Sequence, residues 1–274
     1  RNLPFSQTLL LNIQSDHLDY HKTESNYIDA KVSIIELNNK NPTIIFIDKI
    51  QDLLKNFSDD QKKQLSKSQF LSSTDTSAAF KYSLEYNPSG SSNIKLRFPN
   101  LCLDTQVSLF LKYNAENYIS AIALISGQIS LDEFEIVRSN SIKLPQGRGE
   151  ILKWREGNIL IDFAHDRQSI QNILSELANY YDEIILVFGC GGDRDKSKRS
   201  KMMKIAQDFA SKIFFTSDNN RYEPFSSIVK DGMAVNSYTS IEILEDRKEA
   251  MNLALQCLNK ENILVILGKG HETY

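Results

Sequence analysis

From about residue 150 onward the sequence repeats one pattern, in which a short apolar run is followed by a polar turn and a helix-like stretch. The apolar runs are "NILIDFA", "EIILVFG", "KIFFTSD", "IEIL" and "NILVILG". Runs of this kind, separated by helices, are typical of parallel strands buried on both faces in βαβ units. We therefore predict a parallel sheet with helices on both faces and a ligand site in the loops that follow the strands.

The first half of the chain begins in the same style and then changes. "TLLLNIQSDH" and "TIIFIDKI" predict strands, with a helix over "TESNYIDAKVSIIEL" between them. "AAFKYSLEY" and "NIKLRFP" alternate apolar and polar residues, which favours an antiparallel pair, and "NAENYISAIALIS" predicts a helix. "IKLPQGRGE" has the Pro and Gly residues of a linker. We place a boundary there, between domains 1–144 and 145–274.

Composition excludes several classes of function. The 274 residues are enough for two domains, and the formal net charge of −3 provides no basic excess for binding nucleic acid through its phosphates. No apolar run approaches the roughly 20 residues that cross a bilayer. The three cysteines are far apart and odd in number, which favours a reducing compartment. We expect a cytoplasmic protein that neither enters a membrane nor binds nucleic acid.

All four histidines lie at or near predicted strand ends, which favours a functional role for some of them: His17, His21, His165 and His271. Lys31 follows His17 on the predicted helix, next to the apolar run "VSII". Burial would lower the pKa of this lysine, and a neutral amine can react with carbon dioxide to give a carbamate whose oxygens suit Mg²⁺. The residues alone leave that step open.

"VFGCGGDRDKSKRS" is a strand running into a Gly-rich turn and a charge run. A nucleotide P-loop needs GxxxxGK followed by Ser or Thr, and the chain has no such stretch. Arg194 comes directly after the glycines, where a guanidinium can contact a carboxylate in bidentate fashion. The alternative is a turn with a solvated charge run.

Two further strand-end loops, "FFTSDNNRYE" and "VILGKGHETY", carry charges of both signs. The candidate residues, beside Arg194, are Asp218, Asn219, Arg221, Gly268, His271 and Glu272. If the three loops share one sheet edge, they form a site for a zwitterion such as an amino acid.

Six ordered motifs resemble those of the Mur ligases: "NIQSDHLDYH…NYIDAK", "GRGE", "IDFAH", "VFGCGGDRDKSKR", "TSDNNR" and "GKGHE". The resemblance covers essentially the whole chain. It implies an α/β fold, with the rear part of the central ATP-binding domain (P-loop-type α/β with antiparallel strands) in residues 1–144. Residues 145–274 would form the Rossmann-like, amino-acid-binding carboxy-terminal domain. We expect the family's UDP-sugar domain and its GTxGK[ST] phosphate loop to precede Arg1.

The resemblance also implies cofactors and residue roles. ATP and Mg²⁺ are the expected cofactors, with His17 and a carbamylated Lys31 as catalytic, metal-binding residues. The nucleotide-binding residues it implies are Asn117, Arg148, Asp162 and His165. The amino-acid-binding residues it implies are Arg194, Asp218, Asn219, Arg221, Gly268 and Glu272.

The implied reaction is ATP-dependent addition of meso-diaminopimelate to UDP-N-acetylmuramoyl-L-alanyl-D-glutamate, through an acyl phosphate, in peptidoglycan precursor synthesis. The resemblance implies a monomer when the protein is full length. The sequence departs from the family pattern at Asn220, where DNPR has Pro, at Phe163, where DYAH has Tyr, and at Asp166–Gln168, where the family has TPD. A lysine-adding or folylpolyglutamate synthase-like ligase, a non-catalytic binding fragment and a Rossmann-like domain with another ligand remain alternatives.

Overall fold

The computed structural model describes residues 5–13, 18–36, 41–87, 91–109, 111–128, 143–233 and 240–272. The chain divides into two compact units, Arg1–Ile142 and Lys143–Tyr274, and each contains a six-stranded sheet. The predicted α/β class is therefore confirmed. No helix among the described residues is long and apolar enough to cross a bilayer.

The sheet of the first unit is parallel at one side and antiparallel at the other. Its strands follow in sequence order, β1 (Leu9–Leu10), β2 (Ile44–Phe46), β3 (Gln69–Ser72), β4 (Phe80–Asn87), β5 (Ser91–Phe98) and β6 (Leu101–Val107). Strands β1 to β4 pair in parallel, and β4, β5 and β6 pair antiparallel. The predicted antiparallel pair is thus confirmed, and β6 extends it by a third strand.

The α-helices among the described residues of the first unit are α1 (Leu18–His21), α2 (Glu24–Val32), α3 (Asp59–Leu65) and α4 (Lys112–Ile125). Helix α2 begins after Thr23, whose hydroxyl accepts a hydrogen bond from the Asn26 amide at 3.2 Å. It is shorter than predicted, because the chain continues from Ser33 to Ile35 as a 3₁₀ turn. The Ser33 hydroxyl donates to the carbonyl of Ala30 at 2.8 Å, a local bond that competes with regular helix. Helix α4 forms where it was predicted.

The second unit has a parallel sheet with one antiparallel edge strand. In spatial order its strands are β11 (Ser240–Leu244), β10 (Lys212–Thr216), β9 (Glu183–Phe188), β12 (Asn262–Leu267), β8 (Gly157–Asp162) and β7 (Arg148–Trp154). Among the strands that the structure describes in this unit, β7 alone pairs antiparallel, with β8. The helices are α5 (Arg167–Leu177), α6 (Ser197–Phe209), α7 (Phe225–Gly232) and α8 (Arg247–Cys257). All five predicted apolar runs form strands.

Helices cover both faces of this sheet. Phe214 packs with Ala250 and Ala254 of α8, whereas its neighbour Phe215 stacks against Phe225 of α7. Consecutive strand residues point to opposite faces, so α8 and α7 lie on opposite sides. Phe214 and Phe215 are fully buried, and burying one such side chain contributes about 1.5–3 kcal/mol.

The strand order places the candidate site. Strands β10, β9, β12 and β8 are parallel neighbours, so their carboxyl ends meet at one edge. The loops that follow them, residues 217–224, 189–196, 268–272 and 163–166, share that edge. We call it the carboxyl edge of the second unit.

Candidate functional site

Two arginines from neighbouring loops come together at the carboxyl edge. A Cβ atom built on Gly191 would lie 3.2 Å from Nη1 of Arg221 and 3.8 Å from Cγ of Arg194. Arg194 is exposed and makes no hydrogen bond or ion pair with the residues that the structure describes. The edge therefore carries two arginines, one without a partner among the described residues and one that is anchored to the backbone.

Arg221 is anchored through one nitrogen. Its Nη1 donates to the carbonyl of Gly192 at 2.5 Å and lies 3.4 Å from the carbonyl of Asn219. The backbone of Arg221 is left-handed, with φ of +50°. This conformation costs a residue with a Cβ atom about 1–2 kcal/mol, so the surrounding loop contacts must hold it.

Asp218 lies where the loops after β10 and β12 meet. Its Oδ2 is 3.2 Å from the position that a Cβ atom of Gly268 would occupy. Arg247 connects the same two loops. Its Nη2 donates to the Leu267 carbonyl at 2.6 Å, and its Nη1 donates to the Ser217 carbonyl at 3.4 Å. Burial lowers the pKa of Arg247, and the Asp218 carboxylate opposes that shift. The sequence reasoning missed Arg247.

The loop after β12 turns tightly and carries Glu272. Gly268 and Gly270 have φ of +111° and +49°, and the Glu272 amide donates to the Lys269 carbonyl at 2.8 Å. The Glu272 side chain is half-buried at the edge that also carries both arginines. Carboxylates and guanidinium groups thus occur together on this edge.

A second cluster surrounds Phe163. The guanidinium carbon of Arg148 lies 4.2 Å from the centre of the Phe163 ring, and the rings of His165 and His271 lie 4.9 Å and 5.6 Å from it. The buried Asp162 just before it accepts a hydrogen bond from the Ala164 amide at 2.8 Å. These contacts orient one guanidinium and two imidazoles around a single aromatic ring.

In the first unit, Lys31 is half-buried in a groove of about 470 Å³. Its Nζ lies 5.5 Å from the centre of the Tyr27 ring. The groove is lined by residues 9–12 and by Ala30, Lys31, Ser33 and Ile34. The lysine therefore faces the end of β1, where a parallel sheet presents ligand-binding groups.

The metal site expected at His17 and Lys31 lies only partly within the structure. His17 is outside the described residues. Among those that are described, no group of three His, Cys, Asp or Glu side chains could hold a metal ion. As an ammonium group, Lys31 does not fit a Mg²⁺ ligand, whereas a carbamate on its Nζ would supply the oxygens that Mg²⁺ prefers.

Two family models match this chain, "Mur ligase middle domain" over residues 1–125 and "Mur ligase, glutamate ligase domain" over residues 147–270. The chain belongs to the Mur ligase family. The two matches together account for both compact units, as the sequence motifs predict.

Similar proteins agree with this assignment. The UDP-N-acetylmuramoyl-L-alanyl-D-glutamate--2,6-diaminopimelate ligase of Fusobacterium nucleatum is 32% identical over 287 residues, covering 99% of this chain and 56% of the relative. A solved structure of a ligase with that name is 28% identical, with a TM-score of 0.56, covering 97% of this chain and 55% of the other. The chain thus spans about half the length of these relatives.

A more distant structure shows the fold alone. The MurF ligase of Thermotoga maritima, solved in complex with ADP, is 15% identical with a TM-score of 0.67, covering 96% of this chain and 58% of that one. Because a Mur ligase with another name shares the fold, the fold does not distinguish between the members of the family.

In this Mur ligase, Asn117 lies on the exposed side of α4. The neighbouring Glu116 is buried and pairs with Lys49 and, at 3.8 Å, with Lys112. Burial, followed by the charge of Glu116, raises the pKa of Tyr82 well above its usual value. The ion pair between Glu116 and Lys49 connects the turn after β2 to the start of α4. This connection helps to fix the position of Asn117, the next residue of the helix.

The charge run after the Gly-rich turn is not wholly solvated. Arg199 is 2% exposed and pairs with Glu223 and Asp231. Sequence reasoning missed Arg199 because a charge run is usually a solvated surface, and it therefore also missed the partner of Arg199, Glu223. The only available signal was the spacing of Arg199 from Met202 and Met203, which places it on the buried side of α6.

Proposed function

We propose that the protein containing this chain is an ATP-dependent amide ligase that adds meso-diaminopimelate to UDP-N-acetylmuramoyl-L-alanyl-D-glutamate in peptidoglycan precursor synthesis. The observation that carries this proposal is that two arginines meet beside Gly191, Arg221 through its guanidinium and Arg194 through the stem of its side chain. The relatives' shared name supports it independently. The proposal includes a cytoplasmic location and a monomeric full-length protein, as the resemblance implies.

Diaminopimelate differs from lysine by a second carboxylate, which needs a cation. Arg194 has no partner among the described residues, and Arg221 is anchored only through Nη1, so each has guanidinium N–H groups to donate to a carboxylate. We propose that they bind carboxylates of the incoming amino acid. Asp218 and Glu272 would receive an ammonium group, and Asn219 and Gly268 would shape the loops around it.

ATP is proposed to bind through Asn117, Arg148, Asp162 and His165. When bound, it would supply the phosphoryl group that turns the D-glutamyl carboxylate into an acylating agent. Arg148 is held over the Phe163 ring, a contact that restricts a flexible guanidinium before any phosphate arrives. The described turn at Asp162 and Ala164 would keep His165 beside it.

His17 and a carbamylated Lys31 are proposed to hold Mg²⁺. The cation would screen the charge of the phosphates. Lys31 supports this role by its half-buried position in the groove at the end of β1. The unmodified lysine would instead supply a positive charge at the same place.

The test is phosphate release by the full gene product with ATP, Mg²⁺ and the UDP-muramoyl dipeptide. Meso-diaminopimelate, lysine and no amino acid are compared. We expect turnover with diaminopimelate alone, and its loss in Arg221→Ala and Arg194→Ala. Arg155→Ala is the matched control, because this exposed arginine lies in the β7–β8 turn at the opposite end of β8.

Each other outcome points to a named alternative. Equal turnover with lysine would contradict selection by the two arginines and indicate a lysine-adding ligase. Turnover with glutamate on a folate substrate would indicate a folylpolyglutamate synthase-like enzyme. Amino-acid binding without phosphate release, measured by calorimetry, would indicate a non-catalytic binding protein.

A further inference from the structure

The two arginines of the proposed amino-acid site depend on the loops that carry them. Arg194 lies in the loop 189–196 and Arg221 in the loop 217–224, after the adjacent parallel strands β9 and β10. Arg194 makes no contact of its own with the described residues that would fix its guanidinium. What joins the loops therefore sets the spacing of the two backbone positions from which these arginines extend.

Arg199, a buried residue of α6, hydrogen-bonds to both loops. Its Nη1 donates to Oε1 of Glu223 and to Asp231, both at 2.8 Å. Its Nη2 donates to Oε2 of Glu223 at 2.5 Å and to the Gly191 carbonyl at 3.0 Å. Arg199 of α6 thus binds the first loop through the Gly191 carbonyl and the second loop through both oxygens of the Glu223 carboxylate.

Glu223 completes the connection from the second loop to the first. Its Oε2 accepts a hydrogen bond from the Asp193 amide at 3.0 Å, and its Oε1 lies 3.1 Å from Nζ of Lys196. The hydrogen bond from Arg199, and then that from the Asp193 amide, hold the pKa of Glu223 well below its usual range. Glu223 is therefore an ionised carboxylate shared between both loops.

The two loops also hydrogen-bond to each other directly. The Gly192 amide donates to the Asn219 carbonyl at 2.8 Å, and the Tyr222 amide donates to Oδ2 of Asp193 at 3.0 Å. Asp193 and Arg221 both have left-handed backbones, with φ of +49° and +50°. These conformations persist only where neighbouring contacts over-determine them.

We propose that Arg199 and Glu223 are a positioning pair, which sets the spacing of Arg194 and Arg221 and so the selection of a diamino acid with two carboxylates. Neither residue of the pair touches the ligand in this proposal. The inference rests on the proposed function. A purely structural role for the pair would instead change the fraction of molecules that fold. It would leave the affinity of the folded molecules for the amino acid unaltered.

The test removes both members of the pair together, so that neither buried charge is left without the other. Their remaining partners, Asp231 and Lys196, are partly exposed and exposed to solvent, respectively. Replacing a buried ion pair by apolar residues is often neutral for stability, so Arg199→Met with Glu223→Leu keeps the fold accessible. Glu223→Gln, which retains one acceptor oxygen, is the milder variant. The matched control is Lys204→Gln with Asp208→Asn, which removes an exposed ion pair from the same helix.

We expect the KM for meso-diaminopimelate to rise about tenfold or more in the double variant, or about 1.4 kcal/mol of binding free energy. The KM for ATP should change less than about twofold, and the preference for diaminopimelate over lysine should fall. Glu223→Gln should lie between the double variant and the wild type. An unchanged KM for diaminopimelate in folded variants would overturn the proposal.

A ligand-free measurement separates this inference from the proposed function. If the wild type shows no turnover with any amino acid, the proposed function fails, and amide hydrogen exchange still tests the pair. The amides of Gly192, Asp193 and Tyr222 should exchange faster in the double variant, while those of Val187 and Phe214 in the strands keep their protection. Equal protection of the loop amides in both proteins would refute the positioning role.

Discussion

Gly147 and Gly270 lie in direct backbone contact. A Cβ atom on Gly147 would stand 2.3 Å from the carbonyl carbon of Gly270, closer than such atoms can approach. Both residues have positive φ, +65° and +49°. The contact holds the start of β7 against the loop after β12, and it brings Arg148 over Phe163.

Gly147→Ala should therefore destabilise the second unit. The added methyl meets backbone atoms rather than a flexible side chain, so the loops must separate or strain, at a cost of about 1–3 kcal/mol. Urea unfolding measures the loss in the free energy of unfolding. Gly127→Ala is the control, because a Cβ atom there would have no neighbour within 4 Å. Equal stability of the two variants would contradict the contact.

The ion pair of Arg199 and Glu223 predicts a specific pH dependence. Folding lowers the pKa of Glu223 from its ordinary 4.5, so the ionised carboxylate stabilises the folded state. That contribution is complete above the unfolded-state value and is lost as the pH falls through the folded-state value. The stability advantage of wild type over Glu223→Gln should be constant above about pH 6 and shrink below about pH 4.

Unfolding curves of both proteins, measured from above about pH 6 to below about pH 4, give the comparison. Glu156→Gln, which changes an exposed glutamate of the β7–β8 turn, provides the matched change in charge. An advantage that grows on acidification would contradict an ionised Glu223.

The cysteines should differ sharply in reactivity. Burial raises the pKa of Cys190 to about 12, and the thiolate is the reactive form. Cys102 is exposed. In a Cys257→Ser background at pH 8, a disulfide reagent such as dithionitrobenzoate should modify one thiol rapidly and the second only after unfolding. Cys102→Ser should abolish the rapid phase. A rapid phase that survives this substitution would show that Cys190 is accessible.

Carbamylation of Lys31 can be tested apart from activity. With ¹³C-labelled bicarbonate, the full gene product should give a carbamate carbon signal that is absent in Lys31→Arg. Lys49→Arg is the control, since Lys49 is another partly exposed lysine of the same unit. A signal that remains in Lys31→Arg, or no signal in wild type with Mg²⁺ and ATP present, would contradict the carbamate.

Much of the architecture could be predicted from local sequence patterns. The runs that become β9, β10 and β12 are apolar throughout because helices cover both faces of the sheet, and the alternation in β4 and β5 marks an antiparallel pair. The end of α2 was missed because the hydrogen bond from Ser33 to Ala30 is a matter of local geometry that apolar spacing does not report. Motif order was sufficient to identify the Mur ligase family.

What the sequence by itself determined is the class of each segment and the types of chemical group in each strand-end loop. Tertiary structure decided which groups meet: Arg194 and Arg221 beside Gly191, and Arg199 buried against Glu223. Periodicity reports whether a residue faces a core, and that information is local. Whether a charge within a polar run is solvated or buried depends on a carboxylate 24 residues away in the chain, which only the folded backbone brings within 2.5 Å.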